Sequence, residues 1–177
     1  MYKKEAIHER EEFKEELYKK IFAITGTPKK ILDLGCGLHP LTFPYTNSEY
    51  KAVDNDRAAI KKVKKYFKKN KIKGKAELKD ITLMDNDDFK EEYDLVFLLK
   101  VLDKIGIKKS KELFSKLRAR YMVISFATRT IAGKRMNTPK RKWFERIMKH
   151  NIVKTIRYFN EICYVIKKEE FIKKKEE

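Results

Sequence analysis

The sequence predicts an α/β fold: a mostly parallel seven-stranded sheet with helices between its strands, a C-terminal antiparallel hairpin, and one helix in front. Three observations predict it. Short apolar runs alternate with segments whose apolar residues recur at helical spacing, the pattern of parallel strands joined by helical crossovers. The run Glu92-Tyr93-Asp94-Leu95-Val96-Phe97-Leu98-Leu99 is continuously apolar after its start, as a central strand covered on both faces must be. Two further strand-like runs, Val153 to Tyr158 and Ile162 to Lys167, lie close enough to pair across Phe159-Asn160-Glu161.

The elements follow in order. From about Lys4 to Ala23, Phe13, Leu17, Ile21 and Phe22 share one helical stripe, and Thr25-Gly26-Thr27-Pro28 stops it. Lys30-Ile31-Leu32-Asp33-Leu34 is a short buried strand that runs into Gly35-Cys36-Gly37, a turn where backbone must come close to a ligand. Tyr50 to Asp54 is the second strand, and Ala58, Ala59, Ile60, Val63, Tyr66 and Phe67 give the next helix its apolar face. A weaker third strand falls near Lys75 to Lys79 with Asp80-Ile81 at its tip. After the fourth strand comes a helix over Lys108 to Arg118 with Leu113, Phe114 and Leu117 inward, then a fifth strand, Tyr121 to Phe126. The basic segment Thr128 to Lys142 leads to a helix marked by Trp143, Ile147 and Met148; Trp143-Phe144 can stack on a base, but the helical stripe reads as core. With 177 residues the chain is sized for one domain. The expected division is a helix over 1–25, the main domain over 26–170 and a charged tail over 171–177.

In a doubly wound sheet the ligand sits at the carboxyl ends of the strands, near the switch in strand order. The candidate residues are therefore those at the tips: Asp33, Gly35, Cys36 and Gly37; Asp54 and Asn55; Asp80 and Ile81; Leu99 and Lys100. Glycines let an adenosine approach, Asp54 can take ribose hydroxyls, and Asp80 can accept from an exocyclic amine. Asp54 has a second reading, as the N-cap of the following helix. A nicotinamide dinucleotide fits less well, because Pro40 stands three residues after Gly37 where the third fingerprint glycine belongs.

Composition narrows the partners. The chain has 44 Lys+Arg against 26 Asp+Glu, a formal charge of +18, which favours a polyanion: nucleic acid or a membrane surface. Lysine-rich ion-pair networks are the competing explanation. Arg57 to Lys79 holds eleven Lys or Arg and one acid and reads as the solvated face of an amphipathic helix. Arg129 to Arg157 holds ten and one acid, and its Arg129, Thr130, Lys134, Arg135, Lys140 and Arg141 lie just past a strand tip, suited to phosphate contacts. Cys36 and Cys163 specify no disulfide framework, the three histidines have no metal-ligand spacing, and no metal is expected. No apolar run reaches membrane length and no secretory signal opens the chain, so a cytoplasmic protein with no membrane partner is expected.

Some chemistry lacks its residues. No Pro-Pro-aromatic motif follows the fourth strand to hold an exocyclic base amine, and neither cysteine follows the fourth or fifth strand to attack a pyrimidine. No catalytic residue is singled out. What remains is direct displacement by a nucleophile with a free lone pair, for which positioning suffices.

An acid in the first strand followed by Gly-Cys-Gly resembles the first motif of class I S-adenosylmethionine methyltransferases, Rossmann-like in fold. The likeness extends through Leu32 to Leu41, Phe97-Leu98-Leu99-Lys100-Val101-Leu102, Ser125 to Lys134, Trp143-Phe144-Glu145 and Glu161 to Ile166. Together these resemble the aminoglycoside-resistance 16S ribosomal RNA methyltransferases, which modify N7 of a guanine in the decoding region. The resemblance implies S-adenosylmethionine held by Gly35, Asp54, Asp80 and Ile81, with Arg10 on its carboxylate, and Arg129, Lys134 and Arg135 toward RNA, with 16S rRNA or the small subunit as partner. His39 stands where the family usually has Asn, Ala127 and Ala132 replace Pro and Gly, and the loop before Trp143 is shorter. Resistance enzymes carry an N-terminal RNA-binding domain, where one helix is expected here; a resistance role does not follow. Two other functions fit the same residues: methylation of another RNA or a small molecule, and RNA binding without turnover.

Overall fold

A computed structural model of the chain describes residues 14–45, 47–130, 133–136, 140–158 and 160–168. The expected beginning of the first helix, with Arg10, and the charged tail lie outside them.

Helix α1 (Lys14–Thr25) buries Leu17, Tyr18 and Ile21 and ends at Gly26, whose φ of 70° no other residue type adopts as cheaply. Strands β1 (Lys30–Leu34) and β2 (Glu49–Asp54) follow, then helix α2 (Arg57–Lys69) and strand β3 (Gly74–Leu78). Strand β4 (Tyr93–Leu99), helix α3 (Leu102–Lys116) and strand β5 (Ala119–Ala127) come next. Helix α4 (Lys142–Ile147) and strands β6 (Ile152–Tyr158) and β7 (Glu161–Lys167) complete the described chain.

The seven strands form one sheet in the order β3-β2-β1-β4-β5-β7-β6. The first five are parallel to one another, while β7 runs antiparallel to both β5 and β6, so the mostly parallel sheet and its closing hairpin are as expected. Alternation along β1 sends Leu32 and Leu34 to one face and Ile31 to the other, and each face has its own core. One core gathers Leu34, Leu98, Ile124 and Phe126 under α3 and α4. The other gathers Ile31, Tyr50 and Phe97 under α1 and α2. Strand β3 is at the sheet edge with only Ala76 buried, flanked by exposed Lys73 and Lys75 that discourage further pairing.

Two elements differ from expectation. Helix α3 starts at Leu102, six residues earlier than Lys108, and is interrupted at Gly106 (φ 78°, ψ 168°). The glycine breaks the helical repeat, which hid the turn before it. At α4, Phe144 and the C-cap residue Met148, four residues on, are buried, but Ile147 lies off that face and is 39% exposed. No helix among the described residues is long and apolar enough to cross a membrane.

Candidate functional site

Strand order reverses between β1 and β4, so the crevice of this sheet opens at their carboxyl ends. Gly35 and Gly37 there have φ values of 65° and 52°. A Cβ on Gly35 would lie 2.6 Å from Cγ2 of Val101, so the turn after β1 is seated against the residues after β4. Its other side rests on β2: the Cys36 N–H donates to the Val53 carbonyl at 3.0 Å, and the Gly37 N–H donates to Asp54 Oδ2 at 2.7 Å. Asp54 Oδ1 accepts from the Asp56 N–H at 2.8 Å. The N-cap of α2 is Asp56, which accepts from the N–H groups of Ala58 and Ala59. Asp54 is thus an orienting acid at the tip of β2, held by two amides.

Asp33 supports the same turn from inside the core. It is fully buried, and its Oδ2 accepts from Tyr50 Oη and from His39 Nδ1, both at 2.8 Å. A carboxylate only accepts, so His39 Nδ1 donates to it, while the other ring nitrogen, Nε2, is hydrogen-bonded with Tyr18 Oη on α1. Burial, then the Asp33 charge, push the Tyr50 hydroxyl well above its ordinary value, keeping it a donor. Cys36 is buried beside this network. His39 was visible in the sequence only as a letter in the turn; its partners stand 6, 11 and 21 residues away.

At the tip of β3, Asp80 caps a short 3-10 turn over Ile81–Leu83. It accepts from the Thr82 N–H at 2.8 Å and from Thr82 Oγ1 at 2.7 Å. Those two bonds, with a side-chain bond from Asn55, hold its carboxyl below the ordinary 3.8. Asn55 and Asp80, predicted from different strands, therefore meet. Ile81 is half-buried and begins a cleft that continues between this turn and α3, lined by Met84, Phe89, Ile105 and Leu113.

At the tip of β4, Leu99 is half-buried and Lys100 has a left-handed backbone (φ 57°). Its N–H donates to the Ser125 carbonyl at 3.0 Å, and its Nζ lies 3.0 Å from Oε1 of Glu161. Glu161 is fully buried, the first residue of β7 where the sequence suggested part of a turn. The Lys100 side chain is thereby directed to β7.

The segment after β5 is a tight hairpin beside this tip. Thr128 donates from N–H to the Asn160 carbonyl, Met136 to the Thr128 carbonyl and Thr130 to the Lys134 carbonyl, with Gly133 (φ 75°) at the bend. Arg129 pairs with Arg135 across the hairpin, and its Nη1 donates to the Gly133 carbonyl at 2.9 Å. Thr130, Lys134, Arg135 and Lys140 are exposed, the last 3.8 Å from Glu145. Arg141 is different. Its guanidinium makes a bidentate pair with Asp103 (2.9 and 2.6 Å) and lies over the Phe126 ring, leaving the side chain 13% exposed. It is a strut between the start of α4 and the first turn of α3. Among the described residues no cluster of three or more His, Cys, Asp or Glu has metal-holding geometry.

The family described as ribosomal RNA methyltransferase (FmrO) matches residues 1–161. A 16S rRNA (guanine(1405)-N(7))-methyltransferase of Proteus mirabilis is 27% identical over 126 residues, 68% of this chain and 45% of that protein, so the chain spans under half of that relative's length. Among solved structures, the 16S rRNA methylase ArmA is 28% identical with a TM-score of 0.72, over 90% of this chain and 84% of that one. The 16S rRNA methyltransferase RmtF, solved with S-adenosyl-L-homocysteine, shares the fold with a TM-score of 0.77 at 24% identity, over 92% of this chain and 65% of that one.

Proposed function

From the premise that the chain belongs to the FmrO family of ribosomal RNA methyltransferases, we propose that it methylates N7 of a guanine in 16S ribosomal RNA, using S-adenosylmethionine, in the cytoplasm. The observation that carries the reading is the Gly37 N–H bonded to Asp54 Oδ2 at the switch point, with a basic hairpin beyond the neighbouring strand tip.

The residues fit such a cofactor. The glycine turn has no room for a Cβ at Gly35, and two acids at successive strand tips face hydroxyl and amine chemistry. In this reading Asp54, already oriented by two amides, accepts from the ribose, while Asp80, kept ionised, and Ile81 take the adenine end. S-adenosylmethionine, when bound, supplies an electrophilic methyl group. The chain positions the guanine so that the in-plane lone pair of N7 faces that group. N7 carries no proton, so no side chain need act as a base. Lys134, Arg135 and Lys140 hold phosphates next to the reacting base, and Arg129 keeps the hairpin in shape.

The test is incubation of the protein and S-adenosylmethionine with naked ribosomal RNA and with small subunits, then mapping of modified nucleotides by reverse transcription after N7-selective cleavage. One cleaved guanine is expected. A stop confined to another base overturns the N7 assignment, and no cofactor binding at millimolar concentration overturns the enzyme reading.

A further inference from the structure

The lysine face of α2 has no part in the site above. From Arg57 to Lys73 the chain contains nine Lys or Arg and no Asp or Glu. Lys61, Lys62, Lys64, Lys65, Lys68 and Lys69 are all exposed, while Ala59, Ile60, Val63 and Phe67 turn into the core. Several lysines elsewhere stand beside acids: Lys19 by Glu15, Lys30 by Glu91, Lys51 by Glu77, Lys109 by Glu112. Among the described residues, none of the six on α2 has such a partner.

Physical chemistry makes this arrangement costly without a ligand. Like charges three or four residues apart on a helix destabilise it by about 0.2–0.5 kcal/mol per pair. A stabilising ion-pair network requires acids, and this face has none. A helix that lies in a membrane interface inserts its own apolar face, and here that face is already covered by the sheet. The remaining polyanion is a phosphate backbone. The N-cap of α2, Asp56, stands two residues beyond Asp54, so the cationic helix starts beside the glycine turn. The basic hairpin follows β5, three strands away in the sheet, about 14 Å at the usual strand spacing.

We propose that α2 is a second RNA-docking surface, gripping the sugar-phosphate backbone on the opposite flank of the crevice from the 128–136 hairpin. This rests on the reading that the substrate is RNA. The face extends about 18 Å along the helix, enough to meet several phosphates of one strand.

The test replaces four exposed lysines together in the full chain, K61Q/K64Q/K65Q/K68Q, with the Lys→Arg quadruple as the charge-preserving control. The probe is a 16S ribosomal RNA transcript, and its affinity is followed against salt. The Gln variant is expected to flatten the slope of log affinity against log salt by about 3, at about 0.7–0.9 per lost phosphate contact. KM for RNA should rise at least about tenfold, with kcat at saturating RNA, cofactor affinity and thermal stability unchanged, and the Arg variant should match wild type. An unchanged slope in a protein that methylates RNA overturns this proposal alone. A flattened slope in a protein that methylates nothing sustains the docking surface and overturns the enzyme reading. Loss of binding to phosphatidylserine vesicles with RNA binding intact would reassign the face to a membrane and overturn the proposal.

Discussion

The cofactor turn and the basic hairpin lie on the same edge of the sheet and are built from opposite materials. At the turn, the functional groups are backbone amides and short acids, each fixed by hydrogen bonds: Asp54 by Gly37 and Asp56, Asp80 by Thr82, Asp33 by Tyr50 and His39. On the hairpin they are long exposed cations, and only the backbone beneath them is fixed. A ligand of few atoms needs donors and acceptors that do not move. A polyanion needs charge within reach, and flexible stems supply it. The two halves should therefore fail separately.

The sharpest separation is expected from Gly35→Ala. The left-handed backbone at that position costs an alanine about 1–2 kcal/mol, and its Cβ would meet Val101 at 2.6 Å. Cofactor binding by calorimetry should fall more than about tenfold, with RNA affinity and its salt slope unchanged. Adding Val101→Ala removes the contact but not the backbone strain, so complete recovery would contradict the conformational part of the explanation. Asp54→Ala comes next. Losing the acceptor for two amides and, in the proposed function, for the ribose costs about 1.5–3 kcal/mol, a 10- to 100-fold weaker cofactor by the same measurement. If RNA binding falls instead, the two halves are not distinct.

Smaller effects sharpen the hairpin side. Lys134→Gln with Arg135→Gln should flatten the salt slope of RNA binding by about 1.5 and leave cofactor affinity alone. Arg141→Ala should leave that slope unchanged but lower stability by about 1 kcal/mol, with a double-mutant cycle to Asp103→Ala showing coupling of similar size. A slope that falls by about one would make Arg141 a phosphate contact rather than a strut. The smallest effect concerns pH. Asp80's folded carboxyl is held below 3.8, so its contribution is present above that value and is lost as pH falls through the lower folded one. Cofactor affinity should show no Asp80-dependent change between pH 7 and 5, and Asp80→Asn should abolish the loss seen below about pH 4.

Most of the sheet was legible because buried parallel strands are written as local apolar runs, and β1, β4 and β5 need no partner to be recognised. The place of Asp54 at a strand tip was legible for the same reason, since it ends such a run, whereas Asp80 follows the weakly marked edge strand β3. What could not be read were side chains committed to distant ones. Arg141 looked like a phosphate contact because Asp103 lies 38 residues before it. Glu161 looked like part of a turn because Lys100, which it meets, lies on another strand. His39 looked like a substitution in a motif until Asp33, Tyr50 and Tyr18 enclosed it. Asp54 and Asp56 both suit a helix start, and only the bonds they make tell the cap from its neighbour.

The Lys100–Glu161 pair bears on repulsion at the crevice. In the proposed reaction, a sulfonium methyl donor would bring a positive charge to the switch point, and a guanine alkylated at N7 would leave with one. An ammonium standing alone at the tip of β4 would oppose both. With the buried carboxylate of Glu161 3.0 Å away, the tip pairs its ammonium with an opposite charge, so the exposed cations proposed to meet RNA surround the crevice without electrifying its floor.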